Sequence, residues 1–277
     1  MAPPFTRLLL ASEHTDFDRG AEALAFALAQ RCGLPLAAVL PVTSNPEYEA
    51  VAPQLAARTD AQAAARREAL QAAAGAHAVA LDLRVRRGAE PYAEIVAEAR
   101  ARGTDLLIIR RRGRRGLLAN LLVGEMVSKV IAHAPCSVLV CPRDAVLWRR
   151  RVLAAIDPQA AQAGLVDCAA AVAAECALPL SLLLVVSDEA GRAAAQALLD
   201  GHLARLRAAG QAAQGEVRIG RAHQQIVAAA AQQQADLIVV GRHGPTRLDR
   251  AWIGGTAQKV MGQAECPVLV TAGPAGG

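Results

Sequence analysis

Short apolar runs alternate with longer stretches of helical spacing along this chain, and the alternation occurs twice. Residues 7–11 form a short apolar run, as expected of a strand buried on both faces. From 18 to 32 the apolar residues recur at helical spacing, with Leu24, Phe26 and Leu28 near one broad face. Thr15 or Asp16 stands where a cap for that helix belongs. Residues 36–42 read as a second strand, and 54–74 as a long Ala-rich helix ended by Gly75. A third strand at 78–85 is followed by a helix at 91–101, where Pro91 is tolerated in the first turn. A strand at 106–109, a helix at 125–132 and a strand at 137–141 complete the first set. The second set predicts strands at 152–155, 180–186, 216–219, 237–240 and 268–270. Its helices run through Cys168, through Leu198 and Leu206, over 224–233, and after Gly254.

The two sets share wording as well as rhythm. Asp105-Leu106-Leu107-Ile108-Ile109 returns as Asp236-Leu237-Ile238-Val239-Val240, and Ala134-Pro135-Cys136-Ser137-Val138-Leu139-Val140 as Ala264-Glu265-Cys266-Pro267-Val268-Leu269-Val270. The offset falls from 157 − 13 = 144 at Glu13/Asp157 to 236 − 105 = 131 at Asp105/Asp236, and to 254 − 124 = 130 at Gly124/Gly254. Copy one therefore carries 144 − 131 = 13 extra residues between its second and third strand regions. The stretch 41–53, with three prolines, Ser44 and Asn45, is expected to supply most of them as a loop. Units this long are duplicated domains rather than solenoid repeats. The expected domains are 1–146 and 147–277, joined near 144–150, where Trp148 and a run of arginines interrupt the patterns. Alternating β and α elements with buried strands imply doubly wound α/β domains with parallel sheets covered on both faces.

Composition narrows the class. Apolar residues make up 53% of the 277 but aromatics only 3%, so close helix-on-sheet packing by Ala, Leu and Val is expected. The first apolar run is too short for a signal peptide, and none approaches the ~20 residues of a membrane span, so a soluble cytoplasmic protein is expected. The six cysteines include no Cys-x-x-Cys pair, and Cys32/Cys176 and Cys136/Cys266 occupy matching positions. They read as small buried hydrophobes, with redox or metal roles the lesser alternative. No His-x-x-x-His or Cys/His ligand spacing occurs, and no metal site is expected. The net charge of +5 is largely local, since five of the six residues from Arg110 to Arg115 are arginine. Without interleaved aromatics or a DNA-binding motif, that run reads as a solvated loop rather than a nucleic-acid or lipid contact.

The candidate chemistry lies in a glycine loop. In copy two the strand Leu237-Ile238-Val239-Val240 runs into Gly241-Arg242-His243-Gly244; nine residues later come Gly254, Gly255 and Thr256 at the mouth of a helix. Glycine lets backbone N–H groups approach phosphate oxygens, and free N–H groups at a helix start form an anion cradle. The Gly-x2-Gly-x9-Gly pattern on such a sheet, with the ending Cys-Pro-Val-Leu-Val of the helix-strand unit, resembles the universal stress protein family, once per copy. The resemblance implies two tandem five-stranded sheets of order 3-2-1-4-5, adenine-nucleotide α-hydrolase-like and related by a pseudo-two-fold. The domains would associate through the last strands, Val138–Val140 with Val268–Val270, with a further homodimer open.

The same resemblance implies a site for ATP, ADP or AMP in copy two. Asp157, with Ile156 beside it, matches the acidic residue facing the adenosine, and Val186 the second-strand end near base or sugar. Gly241, His243, Gly244 and Gly254 match phosphate-loop positions. Gly255 departs from the family's Ser or Thr, with Thr256 a neighbouring substitute. Copy one departs further: Arg110 stands in place of Gly241, costly if that position needs positive φ, and Glu125 puts a carboxylate in place of Gly255. An arginine of the 110–115 run is one occupant for that anion site. The leading expectation is a non-catalytic stress-response regulator binding an adenine nucleotide in its C-terminal domain. The alternatives are a ligand-free module for an unknown protein partner, and a slow ATP- or AMP-cleaving enzyme using His243 and Thr256. Trp252 and Ile253, inside the copy-two loop, are expected to pack rather than to face a partner.

Overall fold

The computed structural model describes residues 4–111, 124–160, 163–242 and 253–272. His243, Gly244, Trp252, Gly113 and most of the arginine run lie outside them. The described residues group into two compact units, one from 5–111 with 124–147 and one from 148–272.

The first unit contains β1 (Leu8–Ala11), α1 (Arg19–Cys32), β2 (Leu36–Thr43), α2 (Pro46–Val51), α3 (Pro53–Ala76), β3 (Leu81–Gly88), α4 (Pro91–Ala101), β4 (Leu106–Arg110), α5 (Glu125–His133) and β5 (Ser137–Cys141). Parallel pairing of β2 with β3, β1 with β2, β1 with β4 and β4 with β5 gives the order 3-2-1-4-5. The second unit repeats it with β6 (Val152–Ile156), α6 (Ala163–Glu175), β7 (Leu180–Val186), α7 (Arg192–Ala208), β8 (Ala213–Ile219), α8 (Ala222–Gln232), β9 (Leu237–Gly241), α9 (Gly255–Gln263) and β10 (Val268–Thr271). Its order is β8-β7-β6-β9-β10, again parallel. The central strands β1, β4 and β6 are buried along their whole length, which is why they read as unbroken apolar runs. No helix among the described residues is long and apolar enough to cross a membrane.

Each sheet is fastened at the same point. Asp105, just before β4, accepts hydrogen bonds from the backbone N–H of Thr6 and Arg7, at 2.9 Å each, and from the Thr6 hydroxyl. Asp236, just before β9, accepts from the backbone N–H groups of Arg149, Arg150 and Arg151. The repeated aspartates therefore hold the entry to the first strand of each sheet beside the fourth. The second unit starts on this clasp, with Trp148 buried and its Nε1–H donating to Cys176 Sγ at 3.3 Å.

Three local expectations are corrected. The stretch 41–53 is not a loop: β2 continues to Thr43, and Pro46 and Pro53 each open a helix, where a missing N–H costs nothing. The extra length of copy one lies in α2 and in an α3 of 24 residues against 17 in α7. Gly75 does not end α3; the left-handed residue is Ala78 at φ 52°. Neither Thr15 nor Asp16 caps α1. Asp18 occupies that position, and its carboxylate turns back to accept from the Thr15 N–H and hydroxyl. At Gly20 an added Cβ would fall 1.9 Å from the Pro142 carbonyl oxygen, so α1 reaches that segment only because position 20 lacks a side chain.

Candidate functional site

In a doubly wound sheet the ligand crevice opens at the carboxyl ends of the strands where the strand order reverses. Here that is between β1 and β4 in one unit and between β6 and β9 in the other. The pairing registers make Leu8 equivalent to Val152 and Leu106 to Leu237, so Glu13 corresponds to Asp157 and Arg110 to Gly241.

In copy one the crevice is filled by the chain itself. Arg110, the last residue of β4, is buried. Its guanidinium donates to Asp18 Oδ2 at 2.7 Å, Glu13 Oε1 at 2.9 Å and the Thr15 hydroxyl at 3.0 Å. Beside it the buried Glu22 accepts from the Ser12 hydroxyl at 2.5 Å, and His14 Nδ1 lies 3.1 Å from the same carboxylate oxygen. His14 holds φ 50°, a left-handed conformation uncommon for a side-chain-bearing residue. Of the basic run, Arg110 is therefore matched to carboxylates of its own domain.

Copy two lacks that plug. Gly241 ends β9 in extended backbone paired with Thr271, so its glycine is not explained by a left-handed φ. What the position gains is the absence of a side chain where copy one inserts Arg110. Ile156 and Val186, at the ends of β6 and β7, are buried apolar residues, and Asp157 is half-buried with Oδ1 accepting from the Gln159 N–H at 2.9 Å. Gly254 occupies the cap position of α9 and its N–H donates to the Arg242 carbonyl. A Cβ at Gly255 would meet nothing within 4 Å, so packing does not require that glycine. Gly255 and Thr256, the first two residues of α9, are both exposed. Ile253 is buried.

The flanking helices reverse their charge between copies, a signal visible in the sequence only after α4 is aligned with α8 and α5 with α9. In copy one, Lys129 on α5 pairs with Glu125 at 3.1 Å and Glu90 at 3.4 Å, and lies over the Tyr92 ring at 5.2 Å. The Glu125 side chain is 83% exposed and turned to this lysine, so it lies at the helix mouth without entering the crevice. The equivalents of Glu90, Tyr92, Glu125 and Lys129 are Arg221, His223, Gly255 and Lys259. Both carboxylates are gone. Among the described residues neither Arg221 nor Lys259 pairs with a carboxylate. Partial burial, then the neighbouring charges of Lys259 and Arg221, hold the His223 pKa below the ordinary histidine value. Among the described residues these two cations lie beside His223 without a paired carboxylate, an arrangement that attracts anions. No group of three or more His, Cys, Asp or Glu side chains is placed to hold a metal among the described residues.

A family model described as the universal stress protein family matches residues 4–142 and again 149–272. A universal stress protein of Methanocaldococcus jannaschii is 46% identical over 50 residues, 18% of this chain and 29% of that protein. This chain thus matches well under two thirds of that relative's length. Among solved structures, a universal stress protein from Archaeoglobus fulgidus aligns over 99% of both chains with a TM-score of 0.78 at 16% identity. A further structure described as a putative universal stress protein, from Pseudomonas aeruginosa, covers 97% of this chain and 94% of its own, with a TM-score of 0.65 at 19% identity.

Proposed function

The chain belongs to the universal stress protein family, as two tandem domains, and from that premise we propose that it is a non-catalytic stress-response regulator that takes an adenine nucleotide in its C-terminal domain alone. One observation carries this reading: at equivalent positions, copy one seats Arg110 between Glu13 and Asp18, whereas copy two has Gly241 beside Asp157. Ile156 and Val186 supply an apolar floor at the ends of β6 and β7, suited to a base. Asp157 supplies an acceptor for ribose hydroxyls. The amides of Gly255 and Thr256 at the start of α9, with Lys259 and Arg221 alongside, supply positive potential for phosphate. His243 and Gly244 would complete the loop. The regulatory part of the reading rests on the family.

Isothermal titration calorimetry of the folded full chain with ATP tests it. One binding event per chain supports the proposal; two would show that the Arg110 plug does not close copy one. No heat above background, together with no adenine nucleotide released on denaturation by mass spectrometry, overturns it.

A further inference from the structure

A cavity of about 630 Å³ opens in the second unit at the amino ends of β7 and β8, the far end of the sheet from the glycine loop. The two copies explain why it exists. The left-handed residues Gly33 and Ala177, which follow α1 and α6, place Phe26 opposite Ala170 and Gln30 opposite Ala174. Likewise Ala78 and Gly210 place His77 opposite Ala209. In copy one the space is closed: Phe26 is buried, stacks on His77 with ring centroids 5.2 Å apart, and Gln30 donates to the His77 carbonyl. In copy two alanines stand at all three positions; Ala170 and Ala174 line the cavity, and Gln211 on its wall donates to the Ala170 carbonyl at 3.2 Å, so the ring of copy one has no aromatic counterpart there.

The polar end of this cavity has one sign. Arg151 lines it, donating to the Ser181 hydroxyl at 2.9 Å, and Gln214 donates to the same oxygen at 3.2 Å. No Asp or Glu is among the lining residues, and among the described residues Arg151 forms no ion pair. A half-buried guanidinium thus faces an apolar space within the size range of small-molecule sites, ~300–1,000 Å³. We propose that this cavity binds a small aromatic monocarboxylate, its ring taking the place that Phe26 fills in copy one and its carboxylate meeting Arg151. The charge selects an anion and the missing ring selects an aromatic body. Cavities left by removed apolar groups accept apolar ligands of matching shape.

The test is calorimetric titration of the full chain with 3-phenylpropionate and with the uncharged 3-phenylpropan-1-ol. Saturable one-to-one binding of the acid, at least tenfold tighter than the alcohol, is expected. Arg151→Gln should remove that preference, and Ala170→Phe, which restores the filling of copy one, should abolish binding of both. Should Ala170→Phe fail to fold, Ala174→Gln serves for the same space. Absence of saturable binding, equal binding of acid and alcohol, or unchanged binding in the folded filled variants would each overturn the proposal. None of these outcomes depends on the nucleotide reading, because the cavity lies at the opposite end of the sheet.

Discussion

Arg110 and Asp18, 92 residues apart in sequence, meet at 2.7 Å with both side chains almost wholly buried, at 6% and 1% exposure. The pair joins the end of β4 to the start of α1 across the point where the sheet reverses its order, and Glu13 completes it from the end of β1. The pair and Glu13 thus form a structural cross-link at the carboxyl ends of β1 and β4. Removing one member of a buried pair leaves an uncompensated charge, typically costing ~3–5 kcal/mol. Arg110→Ala is therefore expected to destabilise the N-terminal domain by about 3 kcal/mol. Urea unfolding should show it, and a loss below about 1 kcal/mol would contradict the assigned role.

The duplicated fold offers a matched experiment on backbone strain. Gly33 follows α1 at φ 61° and Ala177 follows α6 at φ 53°; Gly103 follows α4 at φ 56° and Gln234 follows α8 at φ 53°. The left-handed conformation costs a side-chain-bearing residue roughly 1–2 kcal/mol, while glycine loses ~0.4–1 kcal/mol through its freer unfolded chain. The difference predicts that Ala177→Gly and Gln234→Gly each stabilise by about 0.5 kcal/mol. Gly33→Ala should destabilise by a similar amount, since a Cβ there meets nothing within 4 Å. Thermal melts of the three variants check it, and the opposite signs are the decisive feature.

Much of this molecule was legible before its coordinates. The two-copy pattern and the matching of Asp157 with Glu13 came from apolar runs, whose burial on both faces leaves a local signature, whereas the strand order came from the resemblance to the universal stress protein family. Arg110 was noticed as a departure from glycine, but its partners were not named, because a contact over 92 or 97 residues leaves no local pattern. The prolines of 41–53 misled because Pro46 and Pro53 mark helix starts as readily as turns. The clasp by Asp236 was visible only as a repeated letter: nothing local says that a carboxylate will gather three backbone N–H groups more than 80 residues away.

The acid limb of stability should be governed in part by the outer strand of copy one. Glu98 is fully buried; burial alone would raise its pKa, but hydrogen bonds from Arg102 at 2.5 Å and Arg86 at 3.0 Å hold it below the usual carboxylate range. A hydrogen bond from Arg102 at 2.6 Å lowers Asp82 similarly. A depressed carboxylate contributes stability above its unfolded pKa, about 4 for such groups, and loses it as pH falls through the folded value. Urea midpoints of the wild type should therefore drop as pH falls below about 4. Glu98→Gln should be less stable at pH 7 and lose less on acidification, with the two curves converging as pH falls through the depressed folded value of Glu98. Parallel curves would show that Glu98 has no part in the acid transition.

Reversed charge on the helices beside the second crevice gives the sharpest test of why only one domain would take a nucleotide. Copy one surrounds Lys129 with Glu90 and Glu125, whereas copy two places Arg221 and Gly255 around Lys259. Writing the copy-one residues into copy two, Gly255→Glu with Arg221→Glu, introduces two carboxylates without filling the crevice, since nothing lies within 4 Å of a Cβ at Gly255. Each charge change at an exposed helix start is worth ~0.3–1 kcal/mol from the dipole alone, with direct charge–phosphate repulsion added. The double variant should bind ATP at least tenfold more weakly than wild type while keeping its urea midpoint. The loss should shrink in high salt, because exposed charges are screened over about 8–10 Å at physiological ionic strength and over less at higher salt. Adenosine, which has no phosphate, should bind both proteins equally. If adenosine and ATP lose affinity together, the carboxylates have distorted the crevice and the electrostatic account fails. If neither loses any, phosphate does not sit at the start of α9.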